Sequence, residues 1–258
     1  MEDFTRKTIV LLPSRQSRFE LKSILSFLKV SVLFFDLLVM SLYDNYSISA
    51  VLMTVLRSSY GIVWVLKESI MPSAELCRQI SFKKAAIHII VQVALFFIDF
   101  GCISNKKRYS ISSVRIATVM FTYICGLFFY LGASAQKHFT LSIKKSIVTE
   151  GFYRVCRNPV SLGKCLIYLS FCFLANSFYS YMLVLGLFGV WVLPEMIDEE
   201  KASMIKPGYR EYADKVGFLL PIIGDNALSS IIFYVLAVLF CTFLYVLCDF
   251  DNLNSFKV

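Results

Sequence analysis

The chain has 258 residues, 57% of them hydrophobic and only 17% charged, with a mean hydropathy of +0.67 and a formal net charge of +8. Soluble domains run at roughly 45–50% apolar and about 25% charged, so this composition excludes an ordinary soluble protein. The apolar residues fall in blocks of about 20, the length that carries a helix across a bilayer, and they predict an all-α, polytopic membrane bundle of six to seven spans.

Residues 1–26 are polar and basic and predict a cytosolic N-terminal segment. No cleavable signal peptide is expected, because the first apolar block is long enough to remain as an anchor. Glu2 and Asp3 argue against a mitochondrial presequence, since such segments avoid acids. Seven spans are expected, at 27–43, 48–66, 85–103, 116–135, 160–176, 179–195 and 227–248. The first four form an N-terminal membrane region, 27–135. The fifth and sixth make a tight hairpin, joined at Ala175-Asn176-Ser177, within a region 136–223. The last span and its tail occupy 224–258.

Asp36 and Arg57 each lie about nine residues into their spans, at matching depth in antiparallel helices. A charge in hydrocarbon is costly and finds a partner, so an Asp36–Arg57 pair is expected. Asp99 is placed nearer an interface, within reach of water.

Of the eight cysteines, Cys125, Cys165, Cys172, Cys241 and Cys248 lie in apolar stretches, and no CxxC pair occurs. Neither a disulfide framework nor a zinc site is expected, and His88 and His138 are too far apart in sequence to suggest a metal set. Eighteen Lys and Arg residues border the spans on the side of the N-terminus, against five on the other. That bias predicts a cytosolic N-terminus, although Lys106, Lys107, Arg108 and Arg115 oppose it. The basic excess suits anionic lipid headgroups and calls for no nucleic acid.

Chemistry concentrates in 136–223. Gly151 permits a turn, and Arg154 and Arg157 are three apart, which a helical turn would bring to one face. Pro159 pushes Asn158 out of α geometry and opens the next helix. A cation, an amide and a helix start thus lie together, a combination that suits a carboxylate or phosphate. The small Gly163 lets a ligand or a second helix approach. Glu195, Asp198 and Glu199 share a helix face and, with Glu200, crowd a helix C-terminus, where acids oppose the macrodipole. A cationic partner is expected: Arg154 or Arg157, Lys201, or a ligand. S-adenosylmethionine, with its carboxylate, ammonium and sulfonium, matches one basic and one acidic cluster. A nicotinamide dinucleotide phosphate would draw more on the basic side. A plain solvated face is the other reading of the same pattern.

The pattern Gly151-Phe152-Tyr153, Arg157-Asn158-Pro159, Gly163, Glu199-Glu200, Pro207-Gly208-Tyr209, Tyr212 and Leu220-Pro221 resembles the C-terminal signature of a membrane enzyme superfamily. That superfamily includes isoprenylcysteine carboxyl methyltransferases and phospholipid N-methyltransferases. Steroid 5α-reductases and sterol reductases have a similar C-terminal pattern. The resemblance covers about a third of the chain. It implies S-adenosylmethionine-dependent transfer of a methyl group to a lipidic or prenylated substrate; the signal-anchor start without a presequence separately predicts the endoplasmic reticulum. The resemblance also implies a cofactor pocket of His138, Arg157, Asn158, Pro159, Gly163, Glu199 and Glu200, with Arg157 and Glu199 as catalytic residues and Arg154 on the substrate. Gln136 and His138 fall where some members carry a short Gln-Lys element, and Tyr209 and Tyr212 are expected to fix the cytosolic helix. The reductase alternative implies NADPH, with phosphates on Lys164, Lys144 and Lys145 and Tyr60 as proton donor. The chain departs from the pattern at Ser161, where members carry an aromatic residue, and at Lys164, where they carry an acid. That charge reversal also admits a non-catalytic paralogue or scaffold.

Overall fold

The computed structural model describes residues 15–72, 82–104, 111–144 and 147–222. All regular structure in these residues is helical: α1 Arg15–Tyr43, α2 Ile48–Ile70, α3 Phe82–Ile103, α4 Ser113–Lys144, α5 Phe152–Val155, α6 Pro159–Ala175, α7 Phe178–Leu187, α8 Leu193–Met204 and α9 Tyr209–Lys215. A π-helical stretch, Phe188–Val192, joins α7 to α8. Lys22–Tyr43, Ile48–Ile70, Ala86–Ile103, Ser113–Ile143 and Phe178–Met204 are each long and apolar enough to cross a membrane, and α6 is a shorter apolar helix. The protein is therefore a multi-pass helical membrane bundle. The seventh expected span, 227–248, lies outside the described residues.

The chain divides into two compact units at Lys106/Lys107. The first contains α1, α2 and α3. Its outward faces carry exposed apolar side chains such as Phe27, Phe34, Leu42 and Phe97, whereas Lys29, Asp36, Arg57, Gln92 and Asp99 are buried. This inversion of soluble packing is what a hydrocarbon solvent demands, since polar groups there find partners only within the protein. Gly61 brings α2 against α1, because a side chain there would strike the Lys29 carbonyl. Ser47 caps α2, accepting from the Ala50 N–H at 3.4 Å. Asn45 ties the α1–α2 turn to the end of α3 by donating to the Ile103 carbonyl at 2.6 Å. Val39, Met40, Ala50 and Ile103 form a small apolar core beside it.

The ion pair differs from the expected one. Arg57 Nε donates to both oxygens of Asp99, at 2.9 and 3.1 Å, and Asp99 is fully buried rather than near water. Asp36 is an electrostatic neighbour of both groups. The reason is geometric: α3 completes a three-helix bundle and turns Asp99 inward, so depth matching along α1 and α2 alone could not choose the partner.

The second unit is built on α4, which packs along α6. The sequence reading grouped this fourth helix with the first three. A methyl group added at Gly163 on α6 would collide with the Tyr130 backbone and lie 2.8 Å from the Gly126 carbonyl on α4; one at Gly126 would lie 2.8 Å from Ile167. The close approach at Gly163 is thus a helix–helix contact. Asn176, in the left-handed conformation, caps α6 and starts the expected hairpin, its N–H donating to the Cys172 carbonyl at 2.8 Å. The returning helix runs on to Met204, nine residues beyond the expected span end at 195. Replacement of Gly163 by Ala should force α4 and α6 apart and cost about 1–3 kcal/mol, read as a lower unfolding midpoint in detergent; an unchanged midpoint would show that the two helices do not meet there.

Candidate functional site

Three cations in the second unit converge on the acidic helix α8. Lys137, near the end of α4, holds Glu199 with Nζ 2.9 and 3.0 Å from its two oxygens. Arg157, in the bend between α5 and α6, donates to Glu200 Oε1 through Nη1. Lys164, in the second turn of α6, lies 3.6 Å from Glu195 and 5.4 Å from the centroid of the Trp191 ring. The cationic partner that the acids demand is therefore supplied by α4, by the α5–α6 bend and by α6. Arg157 and Glu200 are each 15% exposed, whereas Lys137 and Glu199 are 40% and 43% exposed. The Arg157–Glu200 pair is consequently the better shielded and stronger of the two.

Local backbone chemistry sets up the Arg157 pair. Gly151 adopts φ 59°, which a side chain would resist. It starts the single-turn helix α5, and Gln136 straps this turn to α4: its Nε2 donates to the Glu150 carbonyl at 2.6 Å and its Oε1 accepts from the Phe152 N–H at 3.0 Å. The turn ends at Val155, because Cys156 is extended (φ −154°, ψ 161°). Arg154 and Arg157 therefore do not share a helix face as expected; Arg154 is exposed, and Arg157 turns inward. Asn158 caps α6 with φ −122° and ψ 58°, outside α geometry as Pro159 requires, and Pro159 is buried in the first turn.

The segment after α9 closes over this bend. The Gly217 carbonyl accepts the Arg157 N–H at 2.8 Å, and the Phe218 carbonyl accepts from Asn158 Nδ2 at 3.0 Å. The Arg157 guanidinium lies 5.4 Å from the Phe218 ring centroid. Tyr209 Oη donates to Glu200 Oε2 at 2.8 Å, and Tyr212 Oη donates to the Tyr153 carbonyl at 2.6 Å. Gly208, at φ 78°, turns the chain into α9 and so aims both tyrosines inward. Glu200 is thus shared by Arg157 on one oxygen and Tyr209 on the other.

Burial pushes up the Tyr209 phenol, reinforced by its bond to Glu200, and burial likewise pushes Tyr212 up to about 12 and the Cys156 thiol up to about 11. All three are neutral near pH 7. Neutral tyrosines keep the hydroxyl protons that these hydrogen bonds use.

Of the expected site residues, Arg157, Asn158, Glu199 and Glu200 are brought together, with Pro159 supporting the bend. Gly163 lies at the α4 contact. The His138 ring meets Phe139 edge-on at 5.4 Å and joins none of the charged pairs among the described residues. Sequence reasoning assigned no function to Lys137, Gly217 or Phe218, and it gave Tyr209 only a structural role. The repeated aromatic spacing of Tyr209 and Tyr212 was the available signal, but nothing local told that Tyr209 reaches Glu200. Among the described residues, no cluster of three or more His, Cys, Asp or Glu side chains could hold a metal ion. No protein-family model and no curated protein matches the chain.

Two measurements check this geometry. Lys164→Glu should destabilise the protein by setting a carboxylate beside Glu195, and Lys164→Glu combined with Glu195→Lys should recover part of the loss, with a coupling of about 1 kcal/mol in a double-mutant cycle. Additive effects would mean that the two side chains do not interact. Tyr212→Phe should cost about 1 kcal/mol near neutral pH. Tyr212 ionises at about 12 in the folded chain against an ordinary value of 10.0, so the unfolded state releases this proton first. Its stabilising contribution is complete below pH 10 and declines as pH rises towards 12. The alkaline loss of stability should be shallower in Tyr212→Phe than in the parent.

Proposed function

We propose that this protein is a membrane methyltransferase using S-adenosylmethionine and acting on a lipidic or prenylated substrate that reaches the site from the bilayer. The observation that carries the reading is the Arg157–Glu200–Tyr209 clasp, flanked by Asn158 and by the Lys137–Glu199 pair. It sets a guanidinium, two carboxylates and an amide side by side in a partly shielded place. The amino-acid end of the cofactor is a zwitterion and calls for that combination. Arg157 Nε is buried and has no hydrogen-bond partner among the described residues. A cofactor carboxylate suits this donor, so the residues present fit the group.

In this reading the cofactor supplies a methyl group on a positively charged sulfonium, ready for in-line displacement by a substrate nucleophile. Arg157 would hold the carboxylate, Glu199 or Glu200 the ammonium or ribose hydroxyls, and Asn158 would brace the bend that presents Arg157. Shielding by α6, α8 and the Gly217–Phe218 segment strengthens each of these electrostatic contacts. The chain's contribution to rate would be proximity, orientation and exclusion of water. Arg154, exposed on α5, would meet an anionic group of the substrate. On the same reading the membrane is that of the endoplasmic reticulum and, on the strength of the Lys and Arg distribution, the N-terminus is in the cytosol.

The alternative NADPH-dependent reductase would draw on Lys164, Lys144 and Lys145. Lys164 faces Glu195 and Trp191, and this favours the methyltransferase; the side chains of Lys144 and Lys145 lie outside the described residues. The Glu195 pairing also gives the reversed charge at 164 a physical partner.

Thermal unfolding of the detergent-solubilised protein tests the reading. A cofactor at a hundred times its Kd stabilises the folded state by about 2.7 kcal/mol, so S-adenosylmethionine and S-adenosylhomocysteine should raise the midpoint by several degrees and NADPH should not. Arg157→Ala and Glu199→Ala should each abolish the shift while the bundle remains folded. Stabilisation by NADPH alone would replace the methyltransferase with the reductase, and no response to any of the three would make the protein a scaffold.

A further inference from the structure

The first unit holds a polar seam that the proposed methyl transfer does not use. Lys29 and Asp36 on α1 are seven residues apart, as are Gln92 and Asp99 on α3. Two helical turns, about 10 Å, separate the layers. In the first layer Lys29 Nζ donates to Gln92 Oε1 at 3.0 Å and lies 4.9 and 5.2 Å from the Tyr60 and Trp64 ring centroids. In the second layer are Asp36, Arg57, Asp99 and Thr54. Beyond the first layer, Lys67 pairs with Glu68 at 2.6 Å, and Lys22 donates to the Glu68 carbonyl at 2.8 Å. His88 and the buried Cys102 are further titratable groups on α3.

The second layer has two carboxyl groups and one guanidinium. Arg57 Nε is directed at both oxygens of Asp99. Asp36 is fully buried, and neither of its oxygens has a hydrogen-bond partner among the described residues. The neighbouring Thr54 hydroxyl has a single proton, and its acceptors are the Ala50 carbonyl at 3.1 Å and Met40 Sδ at 3.4 Å. With that proton committed, the Thr54 oxygen offers a lone pair to a donor. Thr54 and Arg57 are the polar neighbours of Asp36, but the Thr54 hydroxyl is directed at Ala50 and Met40 and Arg57 Nε at Asp99. An ionised Asp36 would therefore be a buried anion without a dedicated donor, a costly arrangement in a protein and more so in a bilayer. A protonated Asp36 is neutral and brings its own donor. A metal cation would require several oxygen ligands, and Asp36 and Thr54 are too few.

We infer that the Asp36–Asp99–Arg57 layer is a proton-binding site: one exchangeable proton resides on Asp36, while Asp99 remains ionised against Arg57. The first unit then has a charge state of its own, set by proton supply.

Infrared spectroscopy of the purified full-length protein in detergent tests this. At neutral pH the parent should show a protonated-carboxyl C=O band that shifts in D2O. Asp36→Asn should remove that band and keep the parent melting temperature, because an amide is the neutral counterpart of the protonated acid. Asp99→Asn should melt well below the parent, since it leaves the guanidinium facing an amide. Should Asp36→Asn fail to fold, Asp36→Glu keeps the acid and must move the band. The proposal is overturned by absence of the band in the parent, by its persistence in Asp36→Asn, or by an unmoved band in Asp36→Glu.

Discussion

A polar group in the interior of a bilayer has no water to turn to, and each must find its partner within the chain. That constraint explains the first unit almost completely. Its helices show apolar residues to the outside and collect Lys29, Asp36, Arg57, Gln92 and Asp99 along the inside. The Arg57–Asp99 pair is what makes such an interior tolerable: a buried guanidinium with a two-oxygen acceptor costs far less than either ion alone. Removing one member would leave the other stranded.

The second unit meets the same constraint nearer water, and there it becomes a means of assembly. Three acids on α8 meet cations from three different places, and the best shielded of these pairs, Arg157–Glu200, is also bonded to Tyr209. Around it the backbone is fastened by Gln136 on one side and by Gly217 and Phe218 on the other. The result is a polar centre made of segments drawn from Gln136 to Phe218. Preorganised charges of both signs in a low-dielectric setting are what binding a zwitterionic group requires. The proposed cofactor is of that kind.

Lys164 shows how one residue changes meaning between sequence and structure. Set against the resembling pattern, it is a reversed charge. In the structure it has a carboxylate and an indole face as partners, both on the helix opposite. The π-helical stretch Phe188–Val192 immediately precedes α8 and contains Trp191, which also donates to Glu195. Single-turn π-helical stretches inside α-helices are frequent at functional sites.

The sequence by itself determined the membrane class, the helical composition and at least one bound of each described span, because apolar length and the Asn158-Pro159 and Asn176 breaks are local properties. It also placed Arg157, Asn158, Glu199 and Glu200 in one region, since like charges crowded at a helix end demand partners whatever the fold. Tertiary structure alone decided which partner each charge takes. Depth matching paired Arg57 with Asp36, but the third helix supplied Asp99. Spacing joined Arg154 to Arg157, but the extended Cys156 parted them. Gly163 could have faced a ligand or a helix, and α4 occupies the space. Tyr209 entered the clasp through a turn at Gly208 that no periodicity encodes. An ion pair depends on where side chains arrive in three dimensions, and the hydrophobic pattern of a membrane helix constrains which face turns inward far more than what it meets there.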